Sequence, residues 1–256
     1  MIEDLLQPLI SDRFLNDTRY REGHLRVINA LPSRRVLGVH LPDMKQLSRE
    51  LFKHGNSAEI IHRFEQIPTQ TLAYEEVLVW GFLINLQKQN LDEHLAMVAR
   101  FVPAIDNWAA CDCWCSNAKW MHKADKTILW EFLAPYFDSV REFDVRFAVV
   151  SAMCYFMNEE WLDKIFEKLN ALDFSRIKSE YKTVKGKPKT VQEGSVQGAK
   201  PYYVRMGVAW LLATALAKFP DRTRQFANNS QLPGDVIKLY VRKARESFRT
   251  RTLNAL

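Results

Sequence analysis

Helical spacing of apolar residues recurs along nearly all of this 256-residue chain, and nothing reads as a run of alternating strand residues. Pro42 to Phe52 puts Met44, Leu47, Leu51 and Phe52 on one face, with a proline in the first turn and Gly55 as a stop. Ser57 can cap a helix over 58–66. Further helices are predicted at 71–86, 92–101, 106–121, 125–137, 143–157, 159–169, 201–219, 221–228 and 233–249, joined by short connections. Composition agrees: 15 Phe and 7 Trp against 9 Gly suit helices better than a turn-rich β fold.

These segments are of two kinds. Residues 159–169 are amphipathic, whereas 143–157 and 201–219 are apolar nearly all round and must lie between neighbours. Stacked helix pairs of about 40 residues produce that alternation, because each pair buries its inner surface against the next. The expected fold is therefore all-α, an irregular helical-repeat superhelix (an α-solenoid) making one domain over 1–256; a compact orthogonal bundle is the alternative. One segment departs from the pattern. Residues 183–200 hold three Gly, one Pro and no large apolar residue, and read as an inserted loop or a hairpin around Lys187-Pro188.

Charge is clustered. The chain carries a net +6 with a pI near 9.1. Residues 176–205 hold eight Lys/Arg against Glu180 and Glu193, net +6, and 238–251 hold six against Glu246, net +5. The remainder is then negative, 6 − 11 = −5. Such patches favour polyanions, nucleic acid or an anionic membrane surface. A membrane span is not expected, since the greasiest stretch, Tyr202 to Phe219, is interrupted by Arg205 and Lys218. The opening Met-Ile-Glu-Asp lacks the basic flank of a signal peptide. Four Cys, three of them at 111, 113 and 115, do not resemble a secreted disulfide framework. A reduced, cytoplasmic chain is the expectation.

Two strings place polar residues where their neighbours predict burial: Asp106 to Asp112, and Phe143 to Val150. Trp108 and Asp112 stand one above the other on a helix. If Asp106 caps that helix, both lie in its first turns, where the positive helix end favours a carboxylate. An indole attracts cations and a carboxylate steadies developing positive charge, so the pair suits a cationic substrate or transition state. The competing reading is a core tryptophan beside an aspartate paired to an arginine. Arg146 could hold a phosphate or neutralise Asp112. Trp210 reads as core on periodicity alone.

Other chemistries find no foothold. Cys111 and Cys115 share a helix face while Cys113 points away, which is no zinc spacing. The six His form no His-x-x-x-His pair, and neither a nucleophile motif nor a phosphate-cradling glycine loop is present. No metal and no cofactor are expected.

The strings Gly38-Val39-His40-Leu41-Pro42, Tyr74-Glu75-Glu76, Ile105-Asp106-Asn107-Trp108 through Asp112, Val145 to Val150 and Tyr202 to Trp210 together resemble the DNA alkylation repair family of HEAT-like-repeat glycosylases, the AlkD-like proteins. That resemblance runs over roughly 35 to 250, and the segment with Trp108 is its most specific part. It implies a C-shaped stack of helix pairs holding duplex DNA with alkylated bases. Cationic N3- or N7-alkylpurines would be excised by hydrolysis of the N-glycosidic bond, without a metal or cofactor and without drawing the base into a pocket. Asp112 would steady the oxocarbenium-like sugar and place the water, Trp108 and Trp210 would pack on the deoxyribose, and Arg146 would engage the backbone. Lys182, Lys185, Lys187, Lys189 and Arg205 are the expected further DNA contacts, made by a monomer. Where active members often carry an aromatic and a second basic residue beside the arginine, this chain has Phe143, Asp144 and Val145. A non-catalytic DNA-binding or protein-interaction scaffold is the alternative.

Overall fold

Short polar residues punctuate the chain, and the helices begin where those residues fall. The computed structural model describes residues 2–184, 187–190 and 200–256, with side chains for 2–181 and 200–256. In it Asp17 accepts the Tyr20 N–H at 2.9 Å, Asn90 that of Glu93 at 2.9 Å, Asn107 that of Ala109 at 2.8 Å and Asn158 that of Trp161 at 3.2 Å. Asp125 accepts from both Thr127 and Ile128. Each bond satisfies an amide that the first helical turn leaves without a partner. The folded chain gathers into two compact units, residues 1–124 and 125–256.

The first unit contains α1 (Ile2–Leu6), α2 (Asp12–Asn16), α3 (Thr18–Ile28), α4 (Leu41–Lys53), α5 (Ser57–Gln66), α6 (Tyr74–Leu86), α7 (Leu91–Phe101) and α8 (Trp108–Asn117). Its centre is α6, buried on every side from Tyr74 to Ile84. Helices α4 and α8 flank α6, while α5 and α7 also pack on it. Gly81 allows that closeness: a Cβ there would lie 2.7 Å from the Trp114 ring and 2.8 Å from that of Phe101. Gly38 has φ +94°, and a Cβ on it would run into Phe14. The carboxylate of Glu75 accepts the N–H groups of Leu37 and Gly38 at 2.9 and 2.8 Å, so the strings around 38 and 75 meet.

The second unit contains α9 (Lys126–Phe137), α10 (Glu142–Tyr155), α11 (Glu159–Asn170), the strands β1 (Tyr181–Val184) and β2 (Lys187–Thr190), then α12 (Tyr202–Lys218), α13 (Pro220–Asn229) and α14 (Gly234–Glu246). Here α12 packs on both α10 and α14, and α9 packs on α10. As the pattern required, α10 and α12 are buried nearly all round, whereas α11 buries only its Trp161, Leu162, Ile165, Phe166 and Leu169 face.

Differences from the sequence reading have local causes. The helix expected over 106–121 stops at Asn117, because Ser116 and Asn117 turn their side chains back to the Cys113 carbonyl and compete with the helical ladder. A separate 3₁₀ turn follows at Lys119–His122. Ser57 is inside α5 rather than capping it; Asn56 holds the cap position. Of the segment expected as a loop or hairpin over 183–200, the described residues 183–184 and 187–190 are strand. Strands β1 and β2 pair antiparallel, with Tyr181 opposite Thr190 and Val184 opposite Lys187, so Lys187 and Pro188 are strand residues and not the turn. Residues 185 and 186 are outside the described residues. The short α1, α2 and polar α3 were not anticipated at all.

Candidate functional site

The start of α8 is fixed from below by charge. Arg34, only 7% exposed, reaches Asp106 through Nε at 2.9 Å and Nη2 at 2.7 Å, and its Nη1 donates to the carbonyls of Thr69 and Leu72 at 2.6 and 2.5 Å. Asp106 is therefore an ion-pair partner and not the helix cap. The cap is Asn107, fully buried, which also donates from Nδ2 to the Ile28 carbonyl at 2.7 Å. Next to it the Trp108 indole N–H donates to the Val27 carbonyl at 3.2 Å. Two side chains thus anchor the end of α3 to the beginning of α8.

From that anchored start, Trp108 and Asp112 run along one partly open ridge of α8, while Ala110, Cys111, Trp114 and Cys115 are buried. The reading of Trp108 as a plain core residue is not what the fold provides. Lys45 of α4 and Cys113 belong to the same neighbourhood. Burial pushes the Cys113 thiol up, the Lys45 ammonium opposes the rise, and the Asp112 charge adds to it. Lys45 also sits 5.6 Å from the centre of the Phe82 ring. This lysine escaped the sequence reading, because on α4 it is one polar position among several.

In the second unit the polar centre lies at the junction of α10, α12 and the base of the hairpin. Glu142, 3% exposed, accepts the Tyr203 N–H at 2.7 Å and the Ser179 hydroxyl. Burial pushes its carboxyl up to about 7, against the pull of Ser179, of the backbone N–H groups and of the Arg146 charge. Arg146 is itself 3% exposed; its Nη1 donates to the Tyr203 carbonyl at 2.5 Å and lies along Gly207. A residue expected at the DNA backbone is thus set inside the unit. Glu142 was missed, since it stands 61 residues from Tyr203 and no local pattern joins them.

Trp210 corrects the periodicity argument: it is 39% exposed, not core. Among the described residues, Tyr202, Met206, Trp210 and Thr214 form a ridge of α12 that is partly or fully exposed, and a period of four residues cannot say which ridge that will be. Arg205 pairs with Asp235 and lines, with Lys200, Phe174 and Pro233, a cavity of about 390 Å³. Lys182 and Lys189 face each other in the strand register and Lys187 opens β2; the side chains of these three lysines, and Lys185 entirely, are outside the described residues.

An aromatic cluster near the N-terminus was also left aside by sequence reasoning. The Tyr20 hydroxyl lies 3.0 Å from His40 Nε2, its ring stacks on His24, and the Arg13 guanidinium covers it at 4.6 Å. Burial holds the His24 imidazole below its ordinary value. The only available signal was His40 inside the 38–42 string.

Among the described residues no group of three His, Cys, Asp or Glu side chains is placed to hold a metal, and no helix is long and apolar enough to cross a membrane. The four cysteines form no disulfide. No curated protein and no solved structure matches the chain. A model of the family described as DNA alkylation repair enzyme matches residues 18–174, from the first residue of α3 through Trp108, Asp112 and Arg146, and stops before β1. That match covers more than half of the sequence. The chain belongs to the DNA alkylation repair enzyme family.

Proposed function

We propose that this protein is a DNA glycosylase that excises cationic N3- and N7-alkylated purines from duplex DNA, working as a monomer without metal or cofactor. The observation that carries the reading is the pairing of Trp108 and Asp112 on a partly open ridge of α8, whose start is pinned by Arg34 and Asn107. Membership of a DNA alkylation repair family supports it.

The chemistry suits those residues. In an alkylpurine the positive ring is already a good leaving group, so the N-glycosidic electrons go to the departing base without a strong general acid. Positive charge then develops on the sugar, where the Asp112 carboxylate stabilises it and orients the water that adds to C1′; the water's proton passes to solvent. Trp108 packs on the deoxyribose, and the exposed Trp210 offers the second unit's own ring to DNA; Arg146, at 3% exposure, supports that unit from inside. Lys182, Lys185, Lys187, Lys189 and Arg205 add phosphate contacts, and the protein works in the cytoplasm, where its thiols stay reduced.

The test is base release from duplexes carrying 7-methylguanine or 3-methyladenine. Asp112→Asn is expected to slow release by roughly a hundredfold or more, as for loss of one electrostatic stabiliser, while duplex affinity changes little. Absence of release from every alkylated duplex by the unaltered protein defeats the reading. A non-catalytic DNA-binding scaffold is the second reading, because Arg146 and Arg205 are each engaged within the chain. It requires affinity that falls steeply with salt and ignores the lesion.

A further inference from the structure

Just beyond α14, Phe248 is 81% exposed, more than any other large apolar side chain among the described residues. An apolar ring held in water runs against the hydrophobic effect. It is nevertheless carried on a well-tied turn. The Thr250 and Arg251 N–H groups bond the Ser247 carbonyl at 3.1 and 2.8 Å, and the Thr250 hydroxyl bonds the Ala244 carbonyl at 2.7 Å. Beyond the turn, the Tyr240 hydroxyl donates to the Ala255 carbonyl at 2.8 Å and Arg224 to that of Asn254 at 3.1 Å. Thr250, Tyr240 and Ala255 are buried, so both sides of the turn are anchored while the ring projects.

The ring is framed by unneutralised charge. The Arg251 guanidinium lies 4.7 Å from its centre. Glu246 is taken by Arg242 and Lys243, and Arg245, Arg249 and Arg251 have no ion pair among the described residues. We propose that this turn binds single-stranded DNA, one base stacking on Phe248 while Arg245, Arg249 and Arg251 meet neighbouring phosphates. An aromatic platform inside a cationic patch is the combination that unpaired strands require. In an intact duplex both faces of each base are covered, so a projecting ring reaches one only by prying a base step apart, an unstacking cost that an unpaired strand does not require. An anionic membrane would also attract the arginines, but interfacial helices bury a continuous apolar face. That face of α14, Val236, Tyr240 and Ala244, is used inside the unit.

Fluorescence anisotropy of the full chain with a labelled oligothymidine tests this. The expected result is binding that Phe248→Ala weakens roughly tenfold and Phe248→Tyr retains. Replacing Arg245, Arg249 and Arg251 together with alanine should flatten the log–log salt slope by about 2, at about 0.7 per phosphate on a single strand. Unfolding curves of the variants establish that the fold is kept, as expected for exposed positions. The idea is overturned if Phe248→Ala binds as tightly as the parent, or if Phe248→Leu does, since an apolar contact would then suffice. It is equally overturned if phosphatidylglycerol vesicles bind the turn and the oligonucleotide does not.

Discussion

Arg34 and Glu142 are buried charged residues that each organise a helix junction, one in either unit, and the two units satisfy them differently. Arg34 meets a full charge: Asp106 takes two of its donors, and the carbonyls of Thr69 and Leu72 accept from a third nitrogen. Glu142 has Ser179 and Tyr203 as donors and feels the Arg146 charge only weakly, so burial lifts it to about 7. The first arrangement is a saturated ion pair, with an acceptor on each of the three guanidinium nitrogens. The second is a network whose charge depends on pH. A buried charge holds a junction firmly when a counter-charge and all its hydrogen bonds are present, and conditionally when they are not.

Removing one partner of the saturated pair should have the largest effect. Arg34→Ala leaves Asp106 without its counter-charge, and a loss of about 3–5 kcal/mol is expected in chemical denaturation. A loss below 1 kcal/mol would erase the contrast between the units.

The pH dependence comes next. Folding raises Glu142 from 4.5 to about 7, so the folded state holds the proton more tightly. Its contribution is full below pH 4.5 and is lost as pH rises through about 7, a change on the order of 3 kcal/mol. Glu142→Gln should therefore gain in melting temperature relative to the parent as pH rises across that window; a gap that stays flat with pH counts against the assignment.

The first unit should answer in the opposite sense. His94, its ring centre 4.0 Å from that of Trp120, is held down from 6.5 to about 4 by burial. Its contribution is full above pH 6.5 and is lost as pH falls toward 4. His94→Gln should then gain relative to the parent on acidification, and amide exchange in α7 would show whether the effect is confined there.

The smallest expected effect concerns the α8 start. Asn107→Ala removes the cap and the bond to the Ile28 carbonyl. A cost of about 1–2 kcal/mol is expected, together with a change in the fluorescence of the adjoining Trp108. An unchanged melting temperature would mean that Arg34 alone sets the helix start.

Much of this architecture was legible along the chain. Eleven helices from α4 onward fall close to the expected segments, and the all-round apolar character of 143–157 and 201–219 foretold that α10 and α12 would be enclosed. The 3.6-residue period and the Asn and Asp caps are local signals and survive folding. The N-terminal helices were not visible, because five residues are too few to show a period and α3 is largely polar. Of the candidate site, Trp108 and Asp112 could be picked out as a pair one helical turn apart.

The sequence alone determined the helical class, the order of the helices from α4 onward and the family, for these rest on local periodicity and on short strings. Only the tertiary structure decided which ridge of each helix stays open and which charges meet. Arg34 and Asp106 are 72 residues apart, Glu142 and Tyr203 are 61 apart, and periodicity alone would bury Trp210, which is 39% exposed. The physical reason is that burial and pairing belong to packed neighbours, which a one-dimensional pattern does not name.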